Sequence, residues 1–293
     1  MKKINKHIQI ARTTNVQFSS MEIRTSTMIK DLLSKYYEHV TISTVNTVAD
    51  LDQLIQTEPD LVFLGLKRLP TLSCEHAMSD DDIWLPEYLD RNQIKYTGSG
   101  ASAIQLDFNK EDAKVRIEST GLPTAPFFTS SPGQHDTHNL PLEFPLFVKP
   151  LTAGGGNGIG ADSVVRNFDE FQQKVESVYT RYGSISLVEK YLSGREFSVA
   201  VLGHADDDEL TIMPVELITE ANEQGDRILG SRVKIADTER VVAIADAPTK
   251  QLITRLAQDL FQALGARDYG RIDIRMDADG TPYFLEANLV PGL

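Results

Sequence analysis

Three short stretches of this 293-residue chain combine residue types that suit phosphate and metal chemistry. In the last of them, TPYFLEANLVPGL, Glu286 and Asn288 stand two apart on a strand-like run, so their oxygens face the same way. GRIDIRMDADG precedes that run, and a turn at Asp279-Gly280 predicts a hairpin in which Asp273 falls roughly opposite Glu286. Directly opposed residues have Cβ atoms about 5 Å apart. Asp273, Glu286 and Asn288 could then share a hard cation such as magnesium, whose ligands are oxygens. A solvated acidic face has the same spacing, but the apolar flanks YFL and RIDI point to burial, and a buried carboxylate needs a partner. Arg271 shares the face of Asp273. It can pair with these carboxylates or hold an anionic reacting group beside the metal, and spacing alone does not decide.

The second stretch is VKPLTAGGGNGIG, in which Lys149 ends a strand and glycines 154, 155, 156, 158 and 160 form a loop before the next strand. Glycines let backbone N–H groups approach phosphate oxygens, and a lysine adds a point charge. The spacing is not that of the P-loop, which opens a helix with G-x-x-x-x-G-K-[ST]. The third stretch is LVEKYLSGREF: Glu189 and Lys190 end a strand, Ser193-Gly194 turns, and Glu196 starts the next strand. Ribose hydroxyls are donors that suit a carboxylate such as Glu196, although a surface hairpin with paired charges looks alike.

The elements that must position these residues follow from hydrophobic periodicity. HIQIA (7–11), VTISTV (40–45) and DLVFLGL (60–66) read as strands, with helices over 21–40, 48–57 and 81–91, and IKYTG (94–98) closes this unit. Strand and helix in alternation predict a parallel sheet covered on both faces. TGSGAS opens a second segment with a helix over about 109–120, ended by Gly121 and Pro123. Residues 127–145 read as a Pro-rich loop. Strands then dominate, at 145–150, 159–165, 186–191, 195–203 and 210–218, with helices at about 167–181 and 249–264. An α/β front followed by an α+β back with antiparallel sheets is the predicted fold class.

A net charge of -13 argues against non-specific binding to nucleic acid or anionic membrane. Cys74, the single cysteine, excludes an intrachain disulfide and suits a reducing compartment. No apolar stretch follows MKKINKHIQI, and LVFLGL is far too short to span a bilayer. A soluble, cytoplasmic protein is expected. His135 and His138 in HDTH lie in the Pro-rich loop without further ligands nearby, and SDDD (79–82) reads as a helix cap.

In order along the chain, YTGSGASAIQLDFNK, GLPTAP, VKP with GGGNGIG, VEKYLSGREFSVAVLG, ALGARDYGRIDIRMDADG and YFLEANLVPG resemble the ATP-grasp superfamily, and within it the D-alanine–D-alanine ligase family. The resemblance implies an N-terminal α/β domain (1–98), then central (99–186) and C-terminal (187–293) subdomains that clamp ATP between antiparallel sheets. It implies that Lys110 and Lys149 contact the phosphates, with Lys149 also near the adenine. The loop at 154–158, with Gly154, Gly155 and Gly156, would close over the β- and γ-phosphates. Glu189, Lys190, Leu192 and Leu285 would line the nucleotide site and Glu196 would hold the ribose. Lys234 would reach the γ-phosphate. Asp273, Glu286 and Asn288 would bind two magnesium ions, for which manganese can substitute. Arg271 and the Gly292 amide would stabilise an oxyanion, and Glu22 would take the amine of the first substrate. The implied reaction joins two amino acids through an acyl phosphate and releases ADP and phosphate. Its partners are small molecules, and a homodimer is compatible with it.

The chain also departs from that family. Gly155 stands where a serine is usual, Ile235 where a tyrosine follows the γ-phosphate lysine, and Lys67 where His-Gly is common, and the sequence stops at Leu293 before the family's second-substrate segment. These departures leave D-alanine less securely implied than ATP-dependent ligation. The alternative reading is a catalytically inactive nucleotide-binding or regulatory module derived from the ATP-grasp fold. A dehydrogenase is disfavoured because HIQIARTTN lacks the glycine fingerprint, and a small-molecule kinase would differ only in its product.

Overall fold

The computed structural model describes residues 2–15, 21–70, 82–152, 154–204 and 209–291. These fall into two compact units. One takes the described residues of Met1–Ile104, Gly265–Gly270 and Asn288–Leu293, the other Gln105–Leu264 and Arg271–Ala287. No described helix is long and apolar enough to cross a membrane.

In the first unit β1 (Ile4–Arg12), α1 (Ile23–Leu33), β2 (Tyr37–Thr44), α2 (Val48–Gln56) and β3 (Leu61–Leu64) follow in turn, and the strands form a parallel sheet in the order β2-β1-β3. Alternation along the strands sorts the side chains to two faces. Ile8 and Ile10 pack with Val40, Met21 and the α1 residues Ile29 and Leu33. Ala11, Val62 and Leu64 pack with Leu51 and Leu54 of α2. The helix expected over 21–40 stops at Leu33. The Lys35 and Tyr36 amides turn back onto the Leu32 and Leu33 carbonyls, and Tyr37 begins the pairing with β1, so sheet hydrogen bonds override the helical pattern. β4 (Arg68–Leu69) pairs with β5 (Ile83–Trp84), after which α3 (Leu85–Arg91) starts with Pro86 in its first turn. Residues 79–81 of SDDD lie outside the described residues. Asp82 is no cap: it is buried and paired with the buried Arg68, and Trp84 occupies the N-cap position.

The helix expected over about 109–120 forms at 110–119, and a further helix precedes it. α4 (Ala101–Phe108) and α5 (Lys110–Ser119) break at Asn109, whose side chain accepts from the Glu111 and Asp112 amides. The second unit continues with β6 (Phe127–Ser130), inside the segment read as loop, and β7 (Leu146–Pro150). In place of a strand over 159–165 there is a single turn of 3-10 helix at Ala161–Ser163 followed by the short β8 (Val164–Val165). α6 (Phe168–Tyr182) and β9 (Ser186–Lys190) complete an antiparallel sheet in the order β6-β9-β7-β8. β10 (Glu196–Gly203), β11 (Leu210–Ile218), α7 (Ser231–Ala236), β12 (Arg240–Ala243), α8 (Ala247–Ala263), β13 (Tyr269–Met276) and β14 (Pro282–Asn288) follow, and a second sheet has the order β12-β11-β10-β13-β14. The Asp277–Thr281 turn joins β13 to its neighbour β14, as DADG predicts. One unit thus holds both sheets that the resemblance divides between a central and a C-terminal subdomain.

Gly194 makes the tightest of the turns that matter here. Its N–H donates to the Met276 carbonyl at 2.9 Å, and a Cβ would collide with the Met276 and Asp277 backbone oxygens. Gly194→Ala is expected to destabilise the protein by about 1–3 kcal/mol, read from the urea midpoint. An unchanged midpoint would show that β10 and β13 can separate without cost.

Candidate active site

Period two decides what each sheet of the second unit presents. Phe147 is paired with Glu189, Lys149 with Leu187, and Phe127 with Glu189, which puts Phe127, Phe147, Lys149 and Glu189 on one face. The intervening Leu146, Val148 and Val188 form a core with Phe171 and Val175 of α6. In the five-stranded sheet Glu196 alternates with the fully buried Phe197 and Val199, and Asp273 and Arg275 with Ile272 and Ile274. The charged faces of both sheets line one cavity. Ala125, Phe147, Ile159, Leu192, Ile228 and Leu285 make it apolar in part, and Lys149, Glu189, Glu196, Lys234, Asp273 and Glu286 supply charge.

A buried ion triad underlies that cavity. Glu189 receives Lys114 Nζ on Oε1 at 2.5 Å and Lys149 Nζ on Oε2 at 2.6 Å, with the side chains of all three almost wholly out of solvent. Burial pushes the Glu189 carboxyl up, but Lys114 and Lys149 outweigh it and hold it below the ordinary range. Burial likewise opposes the charge on each lysine. Lys149 is nevertheless raised by Glu189, Glu286 and Glu196, whereas Lys114 is lowered by burial against the pull of Glu189, with Lys149 adding repulsion. Lys114 also donates to Thr124 Oγ1 at 2.8 Å and lies 5.6 Å over the Phe127 ring.

On β13 Arg271 grips Asp273 with two bonds, Nε to Oδ1 at 3.0 Å and Nη2 to Oδ2 at 2.9 Å, and the Ser198 hydroxyl donates to Oδ1 at 2.8 Å. Between the two alternatives left open by spacing, the described structure has the paired one. Glu286 accepts no hydrogen bond from a described residue. Burial raises its carboxyl, yet the fields of Lys110, Lys149, Lys234 and Arg271 hold it at about 2. Glu196 is raised, first by burial and then by Asp273 and Glu286, while Arg275 and Lys234 act in the opposite sense. Arg275 Nη1 binds its Oε2 at 2.9 Å.

The glycine loop is formed by left-handed residues, with φ of +67° at Gly155, +77° at Gly156 and +75° at Gly158. A Cβ at Gly156 would press on the Ser231 amide, and one at Gly230 on the Ile159 carbonyl, so the loop lies directly against the start of α7, which carries Lys234. Lys174 of α6 donates to the Gly158 carbonyl at 2.8 Å and fastens the far end of the loop.

Of the residues expected from the sequence, Lys149, Glu189, Lys190, Leu192, Glu196, Lys234, Asp273, Leu285 and Glu286 all line the cavity. Lys110 is buried at the start of α5, its Nζ donating to the Leu151 carbonyl at 3.4 Å. Asn288 ends β14, half-buried, and belongs to the first unit, as does Glu22, exposed at the N-cap of α1. Gly292 lies outside the described residues. His135 packs against the Phe128 and Phe171 rings. Lys114 and Arg275 were missed. Lys114 sits in KEDAKVR, which reads as a solvated face, whereas Arg275 continues the Arg271–Asp273 alternation and was there to be found. Among the described residues no cluster of three or more His, Cys, Asp or Glu stands ready to hold a metal. Two carboxylates on one cavity wall instead suit magnesium, which commonly takes one or two carboxylates together with substrate phosphates.

Residues 117–293, more than half of the chain, match the family model described as the D-ala D-ala ligase C-terminus. At 30% identity, 71% of the chain aligns with 61% of an uncharacterized protein of Sinorhizobium fredii, so the chain spans less than two thirds of that relative. Also at 30% identity, 85% of the chain aligns with 73% of the D-alanine–D-alanine ligase of Hydrogenovibrio crunogenus. The crystal structure of D-alanine–D-alanine ligase from Bacillus anthracis complexed with ATP superposes with a TM-score of 0.70, over 98% of this chain and 87% of that one, at 21% identity. Two sheets closing on a cavity of lysines and carboxylates, in that fold, define an ATP-grasp enzyme of the ATP-dependent ligase class. More particularly, the chain belongs to the D-Ala–D-Ala ligase family.

The triad carries a test. Glu189→Gln leaves two buried lysines without their counter-charge and should cost about 3–5 kcal/mol, measured by chemical denaturation. Adding Lys114→Met should restore part of that loss. A Glu189→Gln cost below about 1 kcal/mol would mean that the lysines already reach solvent.

Proposed function

We propose that the chain joins two amino acids, activating a carboxylate with ATP and releasing ADP and phosphate. The observation that carries this is the cavity itself: an apolar end suited to a base, a carboxylate suited to a ribose, and four cations whose fields converge on Glu286. In this reading the adenine takes the end formed by Phe147, Leu192, Leu285 and Ile228, and Glu196 accepts from the ribose. Lys110, Lys149 and Lys234 meet the phosphates, with the loop of Gly154, Gly155 and Gly156 above them. Asp273 and Glu286, with Asn288, are the residues that would hold magnesium, which when bound neutralises phosphate charge.

Phosphoryl transfer asks a protein for positioned charge more than for a covalent nucleophile. A substrate carboxylate oxygen bonds to the γ-phosphorus as the bond to the β-phosphate oxygen breaks, giving an acyl phosphate and ADP. An amine nitrogen then bonds to the acyl carbon, negative charge gathers on the carbonyl oxygen, and phosphate leaves. Arg271 stabilises that charge, and Asp273 holds its guanidinium flat in the meantime. Glu22 is proposed for the first substrate's amine and the Gly292 amide for the oxyanion. The relatives' names make D-alanine the first substrate to try. Gly155, where a serine would be strained by the positive φ, and the exposed Ile235 favour another amino acid or a small peptide.

ADP release from the purified protein, with Mg-ATP and D-alanine alone and then with pooled D- and L-amino acids, decides the matter. Release dependent on an amino acid is expected, and Arg271→Met should lower kcat by about 10²–10³-fold with little effect on ATP affinity. ATP binding without turnover on any pool would replace the ligase by a nucleotide-binding module.

A further inference from the structure

Arg275 is unlike the other cations of the cavity. It is 6% exposed, lines the cavity wall, and no role is given to it by the nucleotide reading above. Its Nη1 donates to Glu196 Oε2 at 2.9 Å and its Nη2 to the Arg227 carbonyl at 2.8 Å, with the Tyr191 ring 5.6 Å away. Its Nε is buried and has no partner among the described residues. A guanidinium is a rigid planar fork, so these two bonds fix the Glu196 carboxylate and the Arg227 peptide relative to each other. Glu196 Oε1 has no donor among the described residues, and it is the oxygen left for a ligand.

The Arg227 carbonyl belongs to the segment between β11 and α7 that brings Ile228 and Leu229 to the cavity. Its neighbour Asp226 is held by both oxygens, each 2.8 Å from Nη2 of Arg166, which directly follows β8 of the other sheet. The Arg227 guanidinium folds back onto the Thr219 carbonyl at the base of the same segment. This segment is therefore tied at adjacent residues to each of the two sheets, and Arg275 supplies the tie that also touches Glu196. Without Arg275, Glu196 would face Asp273 and Glu286 with Lys234 as its remaining cation.

We infer that Arg275 is a positioning residue for the nucleotide. It pins one oxygen of Glu196 so that the other meets a ribose hydroxyl, and through the Arg227 carbonyl it couples that carboxylate to the segment walling the base. The inference rests on the ATP reading of the cavity and adds a recognition step to it: the ribose and the wall over the base are sensed through one guanidinium. A nucleotide lacking the hydroxyl loses the carboxylate contact and gains nothing from the pinned wall.

Calorimetry on the full chain would give Kd for Mg-ATP and for its 2′-deoxy and 3′-deoxy analogues, with wild type, Glu196→Gln, Arg275→Gln, Arg275→Lys and the Glu196→Gln/Arg275→Gln double variant. Wild type should prefer ATP to at least one analogue. Arg275→Gln should weaken ATP by about tenfold and the disfavoured analogue much less, so the preference contracts. The double variant should bind ATP within about twofold of Arg275→Gln, since both changes break one unit. Arg275→Lys keeps the charge without the fork and should resemble Arg275→Gln; it also carries the test if the glutamine variant fails to melt cooperatively. A preference that survives in the Arg275 variants, or additive effects in the double variant, would overturn the positioning role while leaving ATP binding in place. No binding of Mg-ATP by wild type would remove the nucleotide reading and this inference together.

Discussion

Glu189 sits between two lysines with no solvent to share, and much of the second unit is organised to make that tolerable. An isolated buried charge would neutralise itself by shifting its pKa, so three such groups persist only as a paired set with hydrogen bonds around it. β9 provides the carboxylate, β7 and α5 the lysines, and the Thr124 hydroxyl together with the Phe127 ring completes the coordination of Lys114. Strand register is therefore under electrostatic as well as hydrophobic control. A one-residue slip of β9 against β7 would turn Glu189 into the core that holds Phe171 and Val175.

The charge pattern above the triad suits an anionic guest. The opposed pushes on Lys114 and Lys149 separate their roles: Lys114, deep and pushed down, supports Glu189, and Lys149, raised by three carboxylates, keeps its proton at the cavity. Glu286, held near 2, stays an anion throughout the neutral range, ready to share a cation with phosphate. Asp273 is neutralised in advance by Arg271, so a guest that recruits Arg271 would free a second carboxylate at the same moment. The site is thus poised rather than empty of interactions.

Closure of the cavity depends on backbone as much as charge. Left-handed glycines let the loop after β7 lie on the start of α7, where a side chain at Gly156 or Gly230 would meet main chain. Two of the departures from the family pattern, Gly155 and Ile235, fall on these same two pieces. In the proposed reading the residues given to the nucleotide keep the family pattern while these two pieces depart from it, which separates the enzyme class from the choice of substrate.

Most of the site was legible because strands have a period of two. Arg271 with Asp273, and Glu286 with Asn288, declare a shared face from spacing alone, and the DADG turn ties β13 to β14. The family resemblance, carried by six motifs in order, pointed to residues that line the cavity. Other features belonged to tertiary structure. α1 gives way to β2 at Tyr37 because β1 offers hydrogen bonds that a helix pattern cannot foresee, and β6 forms in a Pro-rich stretch because β9 is beside it. Lys114 became a core residue because Glu189, 75 positions away by subtraction, arrives next to it. Arg275 took on two partners because β10 and the segment after β11 meet at its fork. Local spacing determines which side chains share a face, and only the packing of distant elements decides which faces meet, since the energy of a buried charge depends on what surrounds it rather than on its neighbours in sequence.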